Sequence, residues 1–290
     1  MNTLTTTTAA TTTTTRTISH RSLTTLLAAG LGVGAVAVAL GTGGSASAGA
    51  LACGAVVTSD VELTADLTGC PGAGLVIGAP GITIDLGGHT VAGTGTGVGI
   101  DATAGHDRVT VEDGTITGFT IGIDLLEADH SRVADATLTA NQVGVAVGRS
   151  AGVRIEDVRA DANGSFGVEI GFSEATSVRR STMSGNGFAG FDAIGSSATT
   201  VERSTADGNA FFGFRLLHED GATIRRIDSR GNGGTGIEVG FDTVGALVER
   251  ATVTGNAGFG ILVVEDGNVL RHNQVSGNVE GDCEPATACG

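Results

Sequence analysis

The chain has 290 residues and a formal net charge of −15 at pH 7, and it contains 49 Gly but no Trp or Tyr. An acidic surface disfavours a nucleic-acid partner, because binding to phosphates requires an excess of positive side chains. The absence of Trp and Tyr disfavours a dedicated sugar-binding cleft, in which such rings usually stack on the sugar. The length is sufficient for one domain with a buried core.

The first 50 residues predict a secretory signal peptide. A Thr-rich segment with Arg16 and Arg21 precedes an apolar run at 26–40, and small residues follow at 45–50. This order is typical of a signal peptide, with cleavage near residues 48–50. The apolar run is too short and too rich in Gly for a membrane span. We therefore expect a secreted protein without a membrane span after signal removal. Lipidation of Cys53 is the alternative.

From residue 99 onward the sequence repeats with a period of 22 to 24 residues. Each repeat contains a Gly followed by an apolar residue, a second apolar residue about eleven positions later, and an Asn. The repeat glycines are Gly99, Gly122, Gly144, Gly167, Gly190, Gly213, Gly236 and Gly260. The repeat asparagines are Asn141, Asn163, Asn186, Asn209, Asn232, Asn256 and Asn278. A fixed period of this length indicates a solenoid.

The pattern within each repeat predicts strands. Apolar and polar residues alternate over short runs, as in Val168-Glu169-Ile170, and such alternation indicates β-strands rather than helices. Three short strands per repeat form one coil of a parallel β-helix, in which equivalent residues stack about 4.8 Å apart. We expect the Asn residues to adopt the left-handed conformation at a turn and to hydrogen-bond along the axis. The Gly that follows would allow the next bend.

Four cysteines lie in two pairs near the ends of the expected mature chain, Cys53 with Cys70 and Cys283 with Cys289. An even number of cysteines in an exported protein favours disulfides. Local pairs would close the two ends, where a solenoid otherwise exposes its core and its strand edges. Metal binding is the alternative, although the sequence contains no C-x-x-C motif.

Three segments carry a resemblance to a known family. They read CGAVVTSDVELTADLTGC, GITIDLGGHTVAG and the repeated GN…G[IVF]. They resemble exported right-handed parallel β-helix proteins of the pectate-lyase-like superfamily, of a type common in actinobacteria. The resemblance implies an all-β, single-stranded right-handed parallel β-helix of about nine coils. The expected segments are a signal peptide (1–50), an N-terminal cap and first coil (51–98), the β-helix repeats (99–281) and a C-terminal disulfide cap (282–290).

Stacking of the coils predicts an outward-facing charged column two residues after each repeat Gly. Its central members are Glu169, Asp192, Arg215 and Glu238. In a lyase, Glu169, Asp192 and Glu238 would bind Ca²⁺ and Arg215 would act as base or clamp. In a hydrolase, Asp192 and Glu238 would lie about 9–10 Å apart, which suits inversion. Asp192, Arg215 and Glu238 are thus the candidate catalytic residues, and a solvated charged face is the alternative.

A second column consists of four arginines on successive repeats. They are Arg180, Arg203, Arg226 and Arg250. Stacked arginines repel one another unless acidic residues or an anionic ligand neutralise them. A neighbouring column of alternating Glu and Arg supplies some acidic residues. The alternative is a bound anion such as a uronan or a teichoic-type phosphate, which would make these arginines substrate-binding residues.

The superfamily includes polysaccharide lyases, hydrolases, epimerases and proteins without known activity, so function depends on the site and not on the fold. The resemblance implies a protein that recognises or modifies extracellular, acidic polysaccharide, and we expect this protein to be secreted and monomeric. Calcium is the one cofactor that the sequence suggests. A non-catalytic cell-surface or matrix protein is the alternative.

Overall fold

The structure is a computed structural model that describes residues 51–289. It consists mainly of short strands. The predicted signal peptide, residues 1–50, lies outside the described residues. The strands are β1 (Ala55–Val57), β2 (Val61–Glu62), β3 (Leu67–Cys70), β4 (Leu75–Ile77), β5 (Thr83–Asp85), β6 (Thr90–Gly93), β7 (Val98–Asp101), β8 (Thr110–Thr117), β9 (Ile121–Leu126), β10 (Arg132–Thr139), β11 (Val143–Gly148), β12 (Arg154–Glu156), β13 (Phe166–Gly171), β14 (Ser177–Arg179), β15 (Ala189–Ile194), β16 (Thr200–Glu202), β17 (Phe212–Leu217), β18 (Thr223–Arg225), β19 (Asp228–Arg230), β20 (Ile237–Val239), β21 (Leu247–Glu249), β22 (Thr252–Thr254), β23 (Phe259–Val263), β24 (Val269–Arg271), β25 (Gln274–Ser276) and β26 (Gly281–Glu284). A 3-10 helix, Ala286–Cys289, follows β26.

The strands form three parallel sheets along the solenoid. The first sheet has 11 strands in the order β1-β4-β7-β9-β11-β13-β15-β17-β20-β23-β26, so each coil adds one strand. The second sheet runs from β2 through β5, β8 and β10 to β24. The second sheet also includes β3 and β6, because β6 pairs with the last residues of β8, and the third sheet consists of β19, β22 and β25. This confirms the predicted all-β parallel β-helix. It has about ten coils rather than nine, because β1, β2 and β3 already form a coil.

Stacked apolar side chains fill the interior at the predicted positions. The second apolar residue of each repeat is at most 1% exposed in seven successive coils. These residues are Val111, Val133, Ile155, Val178, Val201, Ile224 and Val248. Burial of each such side chain contributes about 1.5–3 kcal/mol. A slip of one residue would turn the whole apolar set outward, so these columns fix the register of the coils.

A buried asparagine ladder runs along the axis, as the sequence predicts. The Nδ2 of Asn163 donates to the Oδ1 of Asn186 at 3.1 Å, and the Nδ2 of Asn186 donates to Asn209 at 3.1 Å. The same oxygens accept from the backbone N–H of the preceding Asn at 2.9 Å. All three side chains are at most 2% exposed. The ladder therefore satisfies buried backbone and side-chain groups together.

The left-handed residue of this turn is not the Asn itself. It is the preceding residue, which has a φ of 56° at Ala140, 55° at Ala162 and 66° at Gly185. The predicted left-handed conformation of Asn is therefore wrong. The physical reason is that the Asn contributes both its N–H and its amide to the ladder, so the bend is made one residue earlier.

The role predicted for the repeat glycines is also wrong. Gly167 does not have a positive φ, and it provides space instead of a bend. A Cβ on Gly167 would lie 2.6 Å from the carbonyl oxygen of Gly190 and 2.9 Å from the Nδ2 of Asn186. The glycine thus allows the coils to approach the asparagine ladder closely.

Two disulfides close the ends of the solenoid, and this confirms the predicted pairing. Cys53 bonds to Cys70 across a Cα–Cα distance of 5.3 Å, and Cys283 bonds to Cys289 across 5.7 Å. By the chain-entropy account, the 17-residue separation of the first pair contributes about 3 kcal/mol. Within residues 51–289, no helix has the length and apolar character that a membrane span requires.

Candidate functional site

Four of the predicted site residues stand side by side on the first sheet. Glu169 of β13 pairs in register with Asp192 of β15. Asp192 pairs with Arg215 of β17, and Arg215 pairs with Glu238 of β20. The repeat spacing therefore placed these side chains correctly in one column on four successive coils.

Asp192 and Arg215 form a closed ion pair within this column. The Nε and Nη2 of Arg215 donate to the two oxygens of Asp192 at 2.5 and 3.1 Å. The Asp192 side chain is 4% exposed. The guanidinium also lies 4.8 Å from the ring centre of Phe188 and 5.2 Å from that of Phe212, and contacts of this kind stabilise a cation. Both oxygens of Asp192 are thus engaged, and Arg215 is held in place from three sides.

Glu169 and Glu238 lie on either side of this pair. Burial raises the pKa of Glu169, the charges of Asp192 and Asp124 raise it further, and Arg215 lowers it. Burial likewise raises the pKa of Glu238, against a lowering effect of Arg215. Within the described residues, neither carboxylate forms an ion pair. This part of the column is therefore a strip of half-buried carboxylates with no neutralising partner beyond Arg215.

The column does not fit a single calcium ion. Its carboxylates belong to different coils, Arg215 separates Asp192 from Glu238, and both Asp192 oxygens already accept from Arg215. In the part of the chain that the structure describes, no group of three or more His, Cys, Asp or Glu side chains is arranged to hold a metal. Glu169, Asp192 and Glu238 are therefore not arranged so that all three could bind one calcium ion.

The same arrangement limits general acid–base chemistry. Glu169 and Glu238 are three coils apart, about 14 Å at the usual strand spacing, which exceeds the separation of the two carboxylates in glycosidases. Asp192 and Glu238 have a suitable spacing, but Asp192 is held by Arg215. A catalytic role for Asp192, Arg215 and Glu238 stays a prediction.

Phenylalanine rings border the column and explain how Arg215 is held. Phe188 contacts Phe166, Phe211 and Phe212 with ring centres 5.3, 5.3 and 5.5 Å apart. Phe211 is 51% exposed. Sequence reasoning missed the contact of Phe188 and Phe212 with Arg215. The available signal was that Phe212 and Arg215 both lie on β17.

The four predicted substrate-binding arginines form a second column, here named the arginine ladder. Each directly follows the last residue of β14, β16, β18 or β21. They have left-handed φ values of 50°, 53°, 53° and 54° at Arg180, Arg203, Arg226 and Arg250. Non-glycine residues rarely adopt this conformation. Here it makes the bend after each strand of the second sheet and leaves all four arginines exposed.

Acidic residues neutralise this ladder unevenly. At one end, Arg180 donates to both oxygens of Asp157 at 2.8 and 2.7 Å, and this bond lowers the pKa of Asp157. At the other end, no ion pair of Arg250 is found within the described residues. The positive charge of the ladder is therefore least balanced towards Arg250.

In the middle of the ladder one carboxylate serves several arginines. Glu202 has a side chain only 6% exposed and accepts from Arg225 and Arg226, each at 3.0 Å, while Arg203 lies 3.8 Å away. Burial raises the pKa of Glu202, but the hydrogen bond from Arg225 and the charges of Arg225, Arg203 and Arg179 lower it more. The predicted column of alternating Glu and Arg residues thus supplies negative charge to the ladder, but several arginines share the one carboxylate of Glu202.

Both columns lie away from the depression that is found in the described residues. A depression of about 390 Å³ is found towards the C-terminal end of the solenoid, lined by residues 263–270 and Pro285. None of the predicted site residues lines it. The four arginines of the ladder are exposed, which suits contact with a long polymer better than enclosure of a small molecule.

Comparison with solved structures shows the fold. An alginate lyase from Paenibacillus sp. str. FPU-7 superposes with a TM-score of 0.59 at 20% identity, over 76% of this chain and 89% of that chain. A mutant of the periplasmic alginate epimerase AlgG gives a TM-score of 0.57 at 10% identity, over 76% of this chain and 59% of that chain. The enzymatically active domain of tailspike protein 2 from bacteriophage CBA120 gives 0.51 at 12% identity, over 71% of this chain and 38% of that chain. At such identities the likeness establishes architecture alone.

Sequence comparison gives the family. No curated protein matches the chain. The family described as "Right handed beta helix region" matches residues 65–206 and 172–284, which together extend over most of the described solenoid. The chain belongs to this family of right-handed parallel β-helix proteins.

Proposed function

We propose that this protein is a secreted β-helix that recognises an acidic extracellular polysaccharide along the arginine ladder. The solved structures similar to it include an alginate lyase and an alginate epimerase, and alginate is a polymer of uronic acids. That likeness supports a polysaccharide partner. The two disulfides are consistent with export, because such bonds persist in oxidising compartments.

The spacing of the arginine ladder is the observation that carries the proposal. Arg180, Arg203, Arg226 and Arg250 lie on successive coils, so they repeat about every 4.8 Å along the axis. An extended uronan presents one carboxylate per sugar at a comparable interval. The planar guanidinium group suits carboxylates because it can donate two parallel hydrogen bonds. A straight polyanion could therefore contact several coils at once.

The charge on the first sheet argues against the same polymer binding there. Asp101 pairs with Asp124 on the next coil, and the Asp101 charge adds to burial in raising the pKa of Asp124. Glu169 and Glu238 belong to the same column, and neither forms an ion pair with another described residue. A polyanion placed on this sheet would meet carboxylates, with Arg215 already bound to Asp192.

Recognition without catalysis is the form of the function that the geometry supports best. The ladder is exposed, and the carboxylates beside Arg180, Arg203 and Arg226 contact guanidinium groups and are not free to act as an acid or a base. The alternative predicted from sequence, a non-catalytic surface or matrix protein, would use the same surface. An enzyme would require Glu169 or Glu238 to act without a second free carboxylate at a glycosidase distance.

Binding of alginate oligosaccharides by residues 51–290 tests the proposal, with Arg203→Asn and Arg250→Asn as the variants. Asparagine tolerates the left-handed backbone at both positions, and Arg250 has no carboxylate partner in the described residues that would be orphaned. A charge-assisted hydrogen bond contributes about 1.5–3 kcal/mol, so each change should weaken binding roughly 10-fold or more. Affinity should also fall as salt rises.

Arg149→Asn is the matched control for these variants. Arg149 also has a left-handed φ, 46°, and an exposed ion pair, with Glu127, but it lies outside the ladder. Its substitution should leave the alginate affinity unchanged. Equal binding of a neutral glucan, or undiminished binding by the Arg203→Asn, Arg250→Asn double variant, would refute the proposal. Incubation with alginate and pectate, with calcium and with chelator, tests separately whether any product forms.

A further inference from the structure

A second internal ladder, made of hydroxyl groups, runs along the bend between the first and second sheets. The Oγ of Ser150 accepts from the N–H of Ala128 at 2.9 Å. The Oγ of Ser173 accepts from Ser150 N–H at 3.2 Å, and that of Ser196 accepts from Ser173 N–H at 3.0 Å. These serines are at most 5% exposed. The serine hydroxyl of each coil thus accepts a hydrogen bond from a backbone N–H of the preceding coil.

Glu219 occupies the next position of this ladder, 23 residues after Ser196. Its N–H donates to the Oγ1 of Thr243 at 3.4 Å, so the ladder continues beyond it. The side chain is buried, with the residue 1% exposed, and neither carboxylate oxygen has a hydrogen-bond partner in the part of the chain that the structure describes. The buried hydroxyl oxygens of Thr199 and Thr176 also lack hydrogen-bond partners among these residues. A carboxylate therefore stands where other coils have a neutral hydroxyl.

Among residues 51–289, no cation forms an ion pair with this carboxylate. The nearest charged groups in sequence are His218, which is exposed and contacts Asp242 at 3.1 Å, and Asp220, which is exposed. From the preceding coil comes the negative charge of Asp192, whose partner Arg215 is already engaged. An ionised carboxylate that is buried and unpaired destabilises a fold strongly.

The neighbouring groups of Ser196 and Thr199 do not offset the destabilisation that an ionised Glu219 would cause. Burial raises the pKa of Glu219 to about 7. The Thr199 hydroxyl and the amide and hydroxyl of Ser196 lower this pKa somewhat, although none of them completes a hydrogen bond to the carboxylate in the described residues. The charge of Asp192 raises it further. The carboxyl group is therefore protonated in the folded chain at mildly acidic pH.

We propose that Glu219 is a proton-operated switch in the turn that joins β17 to β18. When it is protonated, it serves as a neutral member of the hydroxyl ladder. When it is ionised, it weakens the packing of this turn against the coils of Ser196 and Thr243. This inference rests on the fold and not on polysaccharide binding, so the failure of one leaves the other standing.

The sign of the effect follows from proton linkage. The folded state holds the proton more tightly than the unfolded chain, in which the carboxyl has an ordinary pKa of 4.5. The contribution to stability is therefore complete below pH 4.5 and is lost as the pH rises to about 7. The shift corresponds to a change of roughly 300-fold in the unfolding equilibrium constant.

Thermal unfolding of the mature chain between pH 4 and pH 9 tests the switch, with Glu219→Ser and Glu219→Gln as variants. Serine restores the residue found on the three preceding coils, and glutamine keeps the shape without the charge. We expect the wild-type Tm to fall between pH 4.5 and pH 8, and the Tm of both variants to fall much less over the same range. After correction for the intrinsic rise of amide exchange with pH, the protection of the amides in residues 218–222 should fall with pH in the wild type alone.

His218→Asn is the control, because histidines change charge near neutral pH and asparagine tolerates the left-handed backbone that His218 has. This variant should keep the wild-type pH dependence. The other carboxylates with raised pKa are unchanged in all variants, so their effects cancel in the comparison. A full pH slope in both Glu219 variants would overturn the proposal. A rise in the wild-type Tm on addition of Na⁺ or Ca²⁺ at fixed pH, absent in both Glu219 variants, would also overturn the proposal. The carboxylate would then bind a metal cation instead of a proton.

Discussion

Replacing Gly167 by alanine is expected to destabilise the solenoid by about 3 kcal/mol or more, as overpacking of a rigid core does. The added Cβ would lie 2.6 Å from the carbonyl oxygen of Gly190 and 2.7 Å from that of Ala160. Both oxygens belong to backbone that is fixed by neighbouring coils, so neither can move away without breaking the stack. Chemical denaturation followed by circular dichroism measures the loss.

Gly208→Ala provides the matched comparison. Gly208 has a φ of +63°, and a Cβ there would have no neighbour within 4 Å. Its substitution should cost only about 1–2 kcal/mol, the usual penalty of a left-handed alanine, and Ala162 already adopts this conformation on an earlier coil. Equal losses of unfolding free energy in the two variants would contradict this explanation. They would show that the repeat glycines are needed for their conformational freedom and not because neighbouring backbone lies close to them.

Replacing Asn186 by alanine is expected to cost about 3–5 kcal/mol. The change removes the Oδ1 that accepts from the N–H and the Nδ2 of Asn163, at 2.9 and 3.1 Å. Both donors are buried where water cannot replace the lost acceptor, and each orphaned group costs about 1–3 kcal/mol. The bond from Asn186 Nδ2 to Asn209 is lost as well. The unfolding free energy is again the measured quantity.

Asn278→Ala tests whether burial sets this cost. Asn278 accepts from the N–H and Nδ2 of Asn256 in the same way, at 3.0 and 2.9 Å, but it is only half-buried near the end of the solenoid. Water can reach the freed donors there, so we expect a loss of about 1 kcal/mol. A loss of unfolding free energy as large as that of Asn186→Ala would contradict the view that exclusion of water makes the hydrogen bonds of the ladder stabilising.

The fold could be predicted from the sequence because the coils repeat. Residues at equal offsets become stacked neighbours, so the pairing of Val133 with Val111 and Ile155 follows from counting. The disulfides followed from the position of the cysteines near the two ends. Periodicity alone does not say which residue of a turn takes the left-handed conformation, and the choice of Asn was wrong for that reason.

The site was only partly predictable. Counting placed Glu169, Asp192, Arg215 and Glu238 in one column. It could not show that Arg215 would close on Asp192 between two phenyl rings, because that depends on side-chain rotamers and burial. Glu219 could have been recognised from the offset alone, since it stands 23 residues after Ser196, in line with Ser150 and Ser173.

The central claim is that an acidic polysaccharide lies along the arginine ladder, and a crystal structure of residues 51–290 with a uronate oligosaccharide tests it most directly. The account predicts a sugar chain parallel to the solenoid axis, with carboxylates bound to Arg203, Arg226 and Arg250. A chain bound instead over Asp192 and Glu238 on the first sheet would contradict it, and would return those residues to consideration as the active site.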